Sequence, residues 1–263
     1  MIRLEDVGID RNKKIISLSN RDVVFSFSNE SIKSVGKKIL ETGHRRIPIV
    51  NRRKELVGIV TITDLLDAFL RKEDVKEKIS DIMVRDVIYC NFDDTIDIVL
   101  KKLKFSRRGG FPVVDKKKKV VGLISERDFV WFFDKVRFNK KIKEVMTPKP
   151  FFVQNSISIF DCLKIMVNTK YRRLPVLSGD ELVGIVTSVD MLRYIIENDF
   201  SFDALDEDLA FVYKTNVYTI EKDLDVVEAI KLMKVKDIGG IIVVDKKRLE
   251  GIITERDVLE EIE

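Results

Sequence analysis

Four aspartates, Asp64, Asp128, Asp190 and Asp257, each lie three residues after a hydroxyl side chain (Thr61, Ser125, Thr187 or Thr254) and six after a glycine. An apolar run that ends on Thr or Ser and continues into a helical pattern presents free backbone N–H groups. Together with the helix dipole, these favour a phosphate. The hydroxyls, joined by Thr63 in the first segment, can donate to phosphate oxygens, and an aspartate one turn into the helix can accept both hydrogen bonds of a ribose diol. The same Thr-x-x-Asp spacing is close to a capping box, in which hydroxyl and carboxylate satisfy the helix's own backbone. The two roles are compatible, since a hydroxyl that caps an empty site can face the ligand in a filled one.

The cations strengthen the phosphate reading. Arg45, Arg46, Arg172 and Arg173 stand just before apolar strand-like runs, and Arg127 and Arg256 immediately precede two of the aspartates. A positive side chain at a helix N-terminus opposes the dipole, so charge set against its local preference points to an anion nearby. The plainer alternative has exposed arginines pairing with Glu126 or Glu255. Enzymatic chemistry is poorly supplied: His44 is the single histidine, Cys90 and Cys162 have no metal-ligand spacing, and no P-loop is present. A nucleotide hydrolase is therefore disfavoured, and no catalytic or metal-binding residues are expected.

The elements that position these residues are written four times. The motif glycines Gly58, Gly122, Gly184 and Gly251 are 64, 62 and 67 residues apart. Upstream of each is a second apolar run (Ile47–Val50, Phe111–Val114, Leu174–Leu177, Ile241–Val244) joined to the glycine run by a polar tip, which reads as a β-hairpin. The lysine-rich tip at 116–119 reads as a solvated turn, and nucleic-acid binding through it is not expected. Further upstream, apolar residues at i, i+3 and i+7, such as Ile32, Val35 and Ile39, predict an amphipathic helix. A short strand is predicted before it at Val23–Phe25, Val87–Tyr89, Phe151–Val153 and Val217–Tyr218, and a second helix follows each aspartate. Each segment is thus β-α-β-β-α, too small to cover a sheet unaided, and the units should pair through their sheets.

Copies one and three share Arg-Arg-Ile/Leu-Pro, whereas two and four share Gly-Gly before the strand and Glu-Arg-Asp at the helix start. This ABAB order predicts a duplicated pair: domain 1–137, with repeats at about 15–71 and 79–137, and domain 138–263, with repeats at about 142–198 and 209–263. Copy four lacks both arginines and the proline, which makes the Asp190 site the weakest candidate. The acidic stretch Glu197 to Asp208 reads as an extra helix or a loop, and the apolar run Phe129–Phe133 as a seam between the domains or, alternatively, a partner surface.

The 263 residues are 45% hydrophobic and 35% charged, which excludes a disordered chain. Lys and Arg total 48 against 44 Asp and Glu, too even a balance for a general polyelectrolyte binder. No apolar run approaches the roughly 18 residues of a membrane span, and no signal peptide is expected at the N-terminus. A cytoplasmic protein is the expectation. One glutamine, Gln154, among many charges is a pattern of heat-adapted proteins; a thermal midpoint below about 60 °C would count against it.

The repeated Gly-x-x-Thr/Ser-x-x-Asp ending, the Arg-Arg-Ile/Leu-Pro runs and the lead-ins Ile79-Ser80-Asp81-Ile82-Met83 and Ile142-Lys143-Glu144-Val145-Met146 resemble cystathionine-β-synthase (CBS) domains. Four such motifs in two Bateman modules are similar to the γ subunit of AMP-activated kinase and its stand-alone archaeal relatives. The resemblance implies an α/β (α+β) fold of four paired repeats arranged as a disk. It also implies a non-catalytic regulator that binds AMP, ADP or ATP and signals energy state to a separate effector protein, with a homodimer as a further expectation. S-adenosylmethionine or methylthioadenosine is the alternative ligand class, and a nucleic-acid-binding CBS protein is the remaining alternative. By the same resemblance, Asp64, Asp128, Asp190 and Asp257 hold ribose. Asp128 faces Arg45 and Arg46, Asp257 faces Arg172 and Arg173, Asp64 has Arg127 and Asp190 has Arg256. Adenine lies against Val24, Ile88, Phe151 and Tyr218, and His44 falls one residue out of register with a phosphate-contacting His-Arg pair.

Overall fold

The computed structural model describes residues 2–246 and 248–263. Repeat one runs β1 (Ser26–Phe27), α1 (Ile32–Thr42), β2 (Arg46–Val50), β3 (Leu56–Thr61) and α2 (Ile62–Leu70). Repeat two runs β4 (Cys90–Asn91), α3 (Ile96–Ser106), β5 (Gly110–Val114), β6 (Val120–Ser125) and α4 (Glu126–Val130). A short helix α5 (Ile142–Val145) and strand β7 (Thr147–Pro148) lead into repeat three. Its elements are β8 (Val153–Gln154), α6 (Ile159–Thr169), β9 (Arg173–Ser178), β10 (Glu181–Thr187) and α7 (Ser188–Glu197). Repeat four closes the chain with β11 (Thr219–Glu221), α8 (Val226–Lys236), β12 (Gly240–Asp245), β13 (Arg248–Thr254) and α9 (Glu255–Glu260). The acidic connection after α7 is a loop with one 3-10 turn at Asp203–Asp206.

In every repeat the first strand pairs parallel to the second and the second pairs antiparallel to the third. In repeats one, two and four the first strand starts later than the apolar residues suggested, at Ser26, Cys90 and Thr219 rather than within Val23–Phe25, Val87–Tyr89 and Val217–Tyr218; in repeat three it starts at Val153, the last residue of the expected Phe151–Val153. Proline limits the ladder in the first three repeats. Ser26 pairs with Ile49, Cys90 with Val113 and Val153 with Val176, each partner following Pro48, Pro112 or Pro175. Proline has no N–H to give, so the parallel ladder cannot extend past it. Repeat four has Ile242 in that place, and its strand gains one residue, Thr219 pairing with Ile242.

The repeats interlock through their lead-in segments. Val84 bridges Ile59 of repeat one, Asn20 bridges Leu123 of repeat two and Lys214 bridges Ile185 of repeat three, while β7 adds a strand beside β13 of repeat four. This exchange, one with two and three with four, gives the motif glycine its reason. A Cβ at Gly58, Gly122, Gly184 or Gly251 would press on Met83, Ser19, Tyr213 or Met146 of the partner's lead-in. The glycine makes room for a neighbour rather than for a phosphate.

The apolar cores cut across this exchange. One buries α1, α2, α6 and α7 residues such as Val35, Leu66, Leu163 and Met191, joining repeats one and three. The other joins two and four through Leu103, Phe129, Phe133, Met233 and Leu259, and takes in Leu4 and Ile15. Helix α2 packs on α7 and α4 on α9, closing the repeats into a ring. Phe129, Val130 and Phe133 form part of the seam, whereas Phe132 is exposed. Pairing through sheets within each domain is therefore half of the arrangement; helices supply the other half.

Candidate functional site

Each motif aspartate closes a capping box. Asp64 Oδ2 accepts from the backbone N–H and the hydroxyl of Thr61, both at 2.7 Å. Asp128 Oδ2 does the same with Ser125, again both at 2.7 Å. Asp190 Oδ2 receives the Thr187 donors at 3.0 and 2.5 Å, and Asp257 Oδ2 those of Thr254 at 2.7 Å each. The capping alternative is thus realised in all four repeats, and only Oδ1 is left over. Burial raises the carboxyl pKa of Asp128 and Asp257, against the Ser125 and Thr254 hydrogen bonds that favour the anion. Thr63 is half-buried in the first turn of α2.

The arginines converge where the four repeats meet. Arg46 Nη1 donates to Gly110 O at 2.7 Å, and Arg173 Nη1 donates to Gly239 O, the first glycine of the other pair where Arg46 uses the second. Arg45 reaches diagonally to Glu255 at 3.5 Å, and a Cβ on Gly239 would strike the same guanidinium. On the opposite diagonal, Arg172 lies beside Gly109 and acts electrostatically on Glu126. The ABAB alternation now has a physical cause: the Arg-Arg pairs of repeats one and three lie on the Gly-Gly pairs of two and four. Gly110, at φ 154°, would set a Cβ 2.5 Å from Ile124 O, so no other residue fits there without strain.

Arg127 and Arg256 complete the centre. Arg127 Nε donates to Glu255 Oε1 at 2.7 Å, its Nη1 to Asp237 at 2.5 Å, and its guanidinium lies 4.4 Å from the centroid of the Trp131 ring. Arg256 pairs with Glu126 and donates to Leu103 O at 3.3 Å. Neither arginine is directed at the aspartate the resemblance assigned to it, Asp64 for Arg127 and Asp190 for Arg256. Both instead tie α4 to α9. The paired glutamates are buried, 3% and 4% exposed, so these pairs are interior links between repeats and not the surface pairs of the plainer alternative.

Six guanidinium groups thus gather around two carboxylates, with Asp237 at the rim. The imbalance is felt locally. Burial, with Arg172 adding repulsion, lowers Arg46 to about 10 and Arg173 to about 9, and burial lowers Arg45 as well. Burial likewise raises Glu126. Arg127 Nη2 is buried without a partner, as is Nδ1 of half-buried His44. At neutral pH the centre keeps its excess positive charge, which a polyanion would relieve.

The four expected adenine positions lie in the irregular segments just before the first strands. Val24 is half-buried, and Ile88, Phe151 and Tyr218 are 41%, 49% and 38% exposed. Val24 packs against the apolar core, whereas the other three lie outside it. Phe151 faces Tyr171 with ring centroids 6.1 Å apart, and Lys236 Nζ lies 5.0 Å from the Tyr218 centroid.

The sequence reading missed the lead-in residues that stand next to the aspartates. Lys214 Nζ lies 2.7 Å from Asp190 Oδ1, and the Thr147 hydroxyl donates to Asp257 Oδ1 at 3.3 Å. Their only signal was the equivalent spacing of the lead-ins, in which Asn20, Val84, Thr147 and Lys214 share one position and no chemistry. Cys90 and Cys162 are buried free thiols pushed up to about 12 by burial. Among the described residues no cluster of His, Cys, Asp or Glu could hold a metal ion, and no helix is long and apolar enough to cross a membrane. A groove of about 550 Å³ between the N-terminal segment and α3 lies apart from the centre, and its Arg11 and Lys101 are paired with Glu5 and Asp97.

The protein with this arrangement has relatives over nearly its whole length. An uncharacterized 33.4 kDa protein in the ribosomal RNA operon of Thermofilum pendens is 31% identical over 82% of this chain and 79% of its own. Protein MJ1225 of Methanocaldococcus jannaschii, whose crystal structure is described as that of a candidate archaeal homolog of γ-AMPK, superposes with a TM-score of 0.87 at 26% identity. That superposition covers 94% of this chain and 99% of that one. A Pyrococcus horikoshii protein shares the fold at a TM-score of 0.64 and 20% identity, over 94% and 98% of the two chains. The CBS domain model matches residues 15–71, 79–135, 142–197 and 208–263, one match for each repeat that carries a capped aspartate: the chain belongs to the CBS-domain family.

Proposed function

We propose that the protein is a non-catalytic cytoplasmic regulator that binds AMP, ADP or ATP in clefts between exchanged repeats. The Bateman modules of this reading span 1–137 and 138–263. The observation that carries it is the centre itself, where six arginines meet two buried glutamates at the N-termini of the helices that hold the aspartates. Ribose takes the free Oδ1 of a motif aspartate, adenine slides along half-buried Val24 or the exposed Ile88, Phe151 or Tyr218, and the phosphates turn inward to the arginines. The hydroxyls of Thr61, Ser125, Thr187 and Thr254, now given to the carboxylates, can rotate to phosphate. The likeness to MJ1225, described as a candidate homolog of γ-AMPK, supports the same ligand class.

Signalling follows from competition. A phosphate that draws Arg127 or Arg256 away from Glu255 or Glu126 loosens the link between α4 and α9, so occupancy and the angle between modules share one free energy. A separate effector protein would read that angle. Calorimetry with AMP, ADP, ATP and S-adenosylmethionine tests the reading, repeated on Asp64→Ala, Asp128→Ala and Asp257→Ala. Loss of one equivalent in each variant supports it. Unchanged binding in all three overturns the sites, and a preference for S-adenosylmethionine, whose sulfonium adds no negative charge, transfers the protein to the alternative ligand class.

A further inference from the structure

The lead-in segments place one side chain at an equivalent position in all four clefts. Val84 lies opposite Ile59, Asn20 opposite Leu123, Lys214 opposite Ile185 and Thr147 opposite Ile252. Each of those strand residues directly follows a motif glycine, so the clefts of Asp64, Asp128, Asp190 and Asp257 receive Val, Asn, Lys and Thr in turn. We propose that Lys214 holds the Asp190 cleft shut against ribose, leaving the other clefts as the working ones; this rests on the nucleotide reading above.

A diol bound by one carboxylate needs an acceptor oxygen that is not already taken. In all four clefts Oδ2 carries both donors of the capping residue. Among the described residues, Oδ1 of Asp64 and of Asp128 has no partner, so each can receive a ribose hydroxyl. Asp257 Oδ1 meets the Thr147 hydroxyl at a long 3.3 Å, and a hydroxyl can rotate and accept from the incoming sugar instead. Asp190 differs: its Oδ1 is held at 2.7 Å by the Lys214 ammonium, which cannot accept, and the residue is 5% exposed.

The lysine is anchored as well as attracted. Its backbone exchanges two hydrogen bonds of 2.9 Å with Ile185, and the adjacent Tyr213 ring covers Gly184. A neutral diol entering this cleft would replace a bond charged on both sides with one charged on the acceptor alone. The deficit in charge that repeat four brings to this cleft and the lysine lock act in the same direction.

The test counts AMP bound per chain by calorimetry at saturating concentration, for the unaltered protein and for Lys214→Val, Asp190→Ala, their combination, and Val84→Lys. Lys214 and Val84 are 65% and 37% exposed, so these substitutions leave the fold intact. Asp190→Ala should leave the count unchanged, Lys214→Val should add one equivalent, and the combination should lose that addition. Val84→Lys should remove one equivalent by installing the same lock over Asp64. The inference is overturned if Asp190→Ala removes an equivalent, or if Lys214→Val binds as many or fewer. A non-zero count that Lys214→Val does not change sinks the lock and leaves the nucleotide reading standing; a count of zero throughout sinks both.

Discussion

Helices α2 and α7, which join repeats one and three, begin with Ile62-Thr63 and Ser188-Val189; α4 and α9, which join two and four, begin with Glu126-Arg127 and Glu255-Arg256. The first pair of helices meets through apolar side chains alone, around Leu65, Leu66, Met191 and Leu192. The second pair is shorter and adds two reciprocal Arg–Glu links across its N-termini. One half of the ring is therefore held by burial, which no small ligand can compete with. The other is held partly by charge, which an anion can. The arginines that an anion would also recruit, Arg46 and Arg173, come from the strands of the apolar half and rest on the glycines of the charged half. A duplicated pair of unlike repeats has thus separated scaffold from response.

The sharpest way to break this comparison is to remove one buried glutamate. Glu255→Gln leaves Arg45 without its counter-charge and Arg127 with only Asp237 at the rim, and losing one partner of a buried pair costs about 3 kcal/mol. Ser188→Ala, at the matching place in α7, should cost less than about 1 kcal/mol. Thermal or urea unfolding measures both. The glutamine variant should also bind inorganic pyrophosphate more tightly than the unaltered protein, because the anion no longer competes with a carboxylate. Equal destabilisation by the two substitutions would dissolve the distinction between the halves.

Gly110→Ala comes next. The new Cβ would meet Ile124 O at 2.5 Å in a backbone conformation that L residues avoid, for an expected cost of about 2 kcal/mol. Gly240→Ala meets mainly the movable end of Arg173. It should cost less stability while lowering anion affinity, a split that separates the backbone role of one glycine from the arginine-seating role of the other.

These glycines mark the line between what could be read in the chain and what could not. The β-α-β-β-α order, the fourfold repeat and the ABAB alternation are periodic features of one strand of text, and all are present in the structure. The reason for the alternation was invisible, because Arg46 meets Gly110 and Arg173 meets Gly239 across 64 and 66 residues of sequence. The first strands were placed early because Val23, Val87 and Phe151 have the right side chains; the prolines that end the ladder sit in the partner strand. Glu126 and Glu255 read as ordinary surface acids at a helix start, since nothing local announces the second helix that buries them. The Lys214–Asp190 pair was hidden for the same reason, being made by the exchange of lead-ins.

A smaller effect tests the charge of the centre through pH. Arg46 and Arg173 have folded-state values of about 10 and 9, below the ordinary arginine range that the unfolded chain keeps. The folded protein therefore releases these protons first, and where the unfolded state binds more protons stability rises with pH. Arg173→Gln removes one such group. The difference in unfolding midpoint between the unaltered protein and this variant should shift in favour of the unaltered protein as pH rises from about 8 through 10. Nucleotide affinity of the unaltered protein should fall over the same window, as the cations that hold phosphate discharge. A difference that stays flat would mean that Arg173 bears no burden from its neighbours.

The smallest effect on stability falls on the adenine positions, and there the contrast is between clefts. Phe151 and Tyr218 are exposed rings, so Phe151→Ala and Tyr218→Ala should each change stability by no more than about 0.5 kcal/mol. Stacking of a base on an aromatic ring is worth about 1–3 kcal/mol, so Phe151→Ala should weaken AMP at least several-fold in the cleft it serves and leave inorganic pyrophosphate untouched. Tyr218 follows Lys214 on the lead-in of the shut Asp190 cleft, so Tyr218→Ala should leave AMP binding unchanged. Ile88 offers an aliphatic edge and Val24 a half-buried one, so Ile88→Ala should cost less affinity than Phe151→Ala. Because the phosphate probe never reaches these rings, a loss of pyrophosphate binding in the Phe151 variant would mean that the segment supports the arginine centre instead of a base. The exposed aromatics would then belong to a surface that contacts protein.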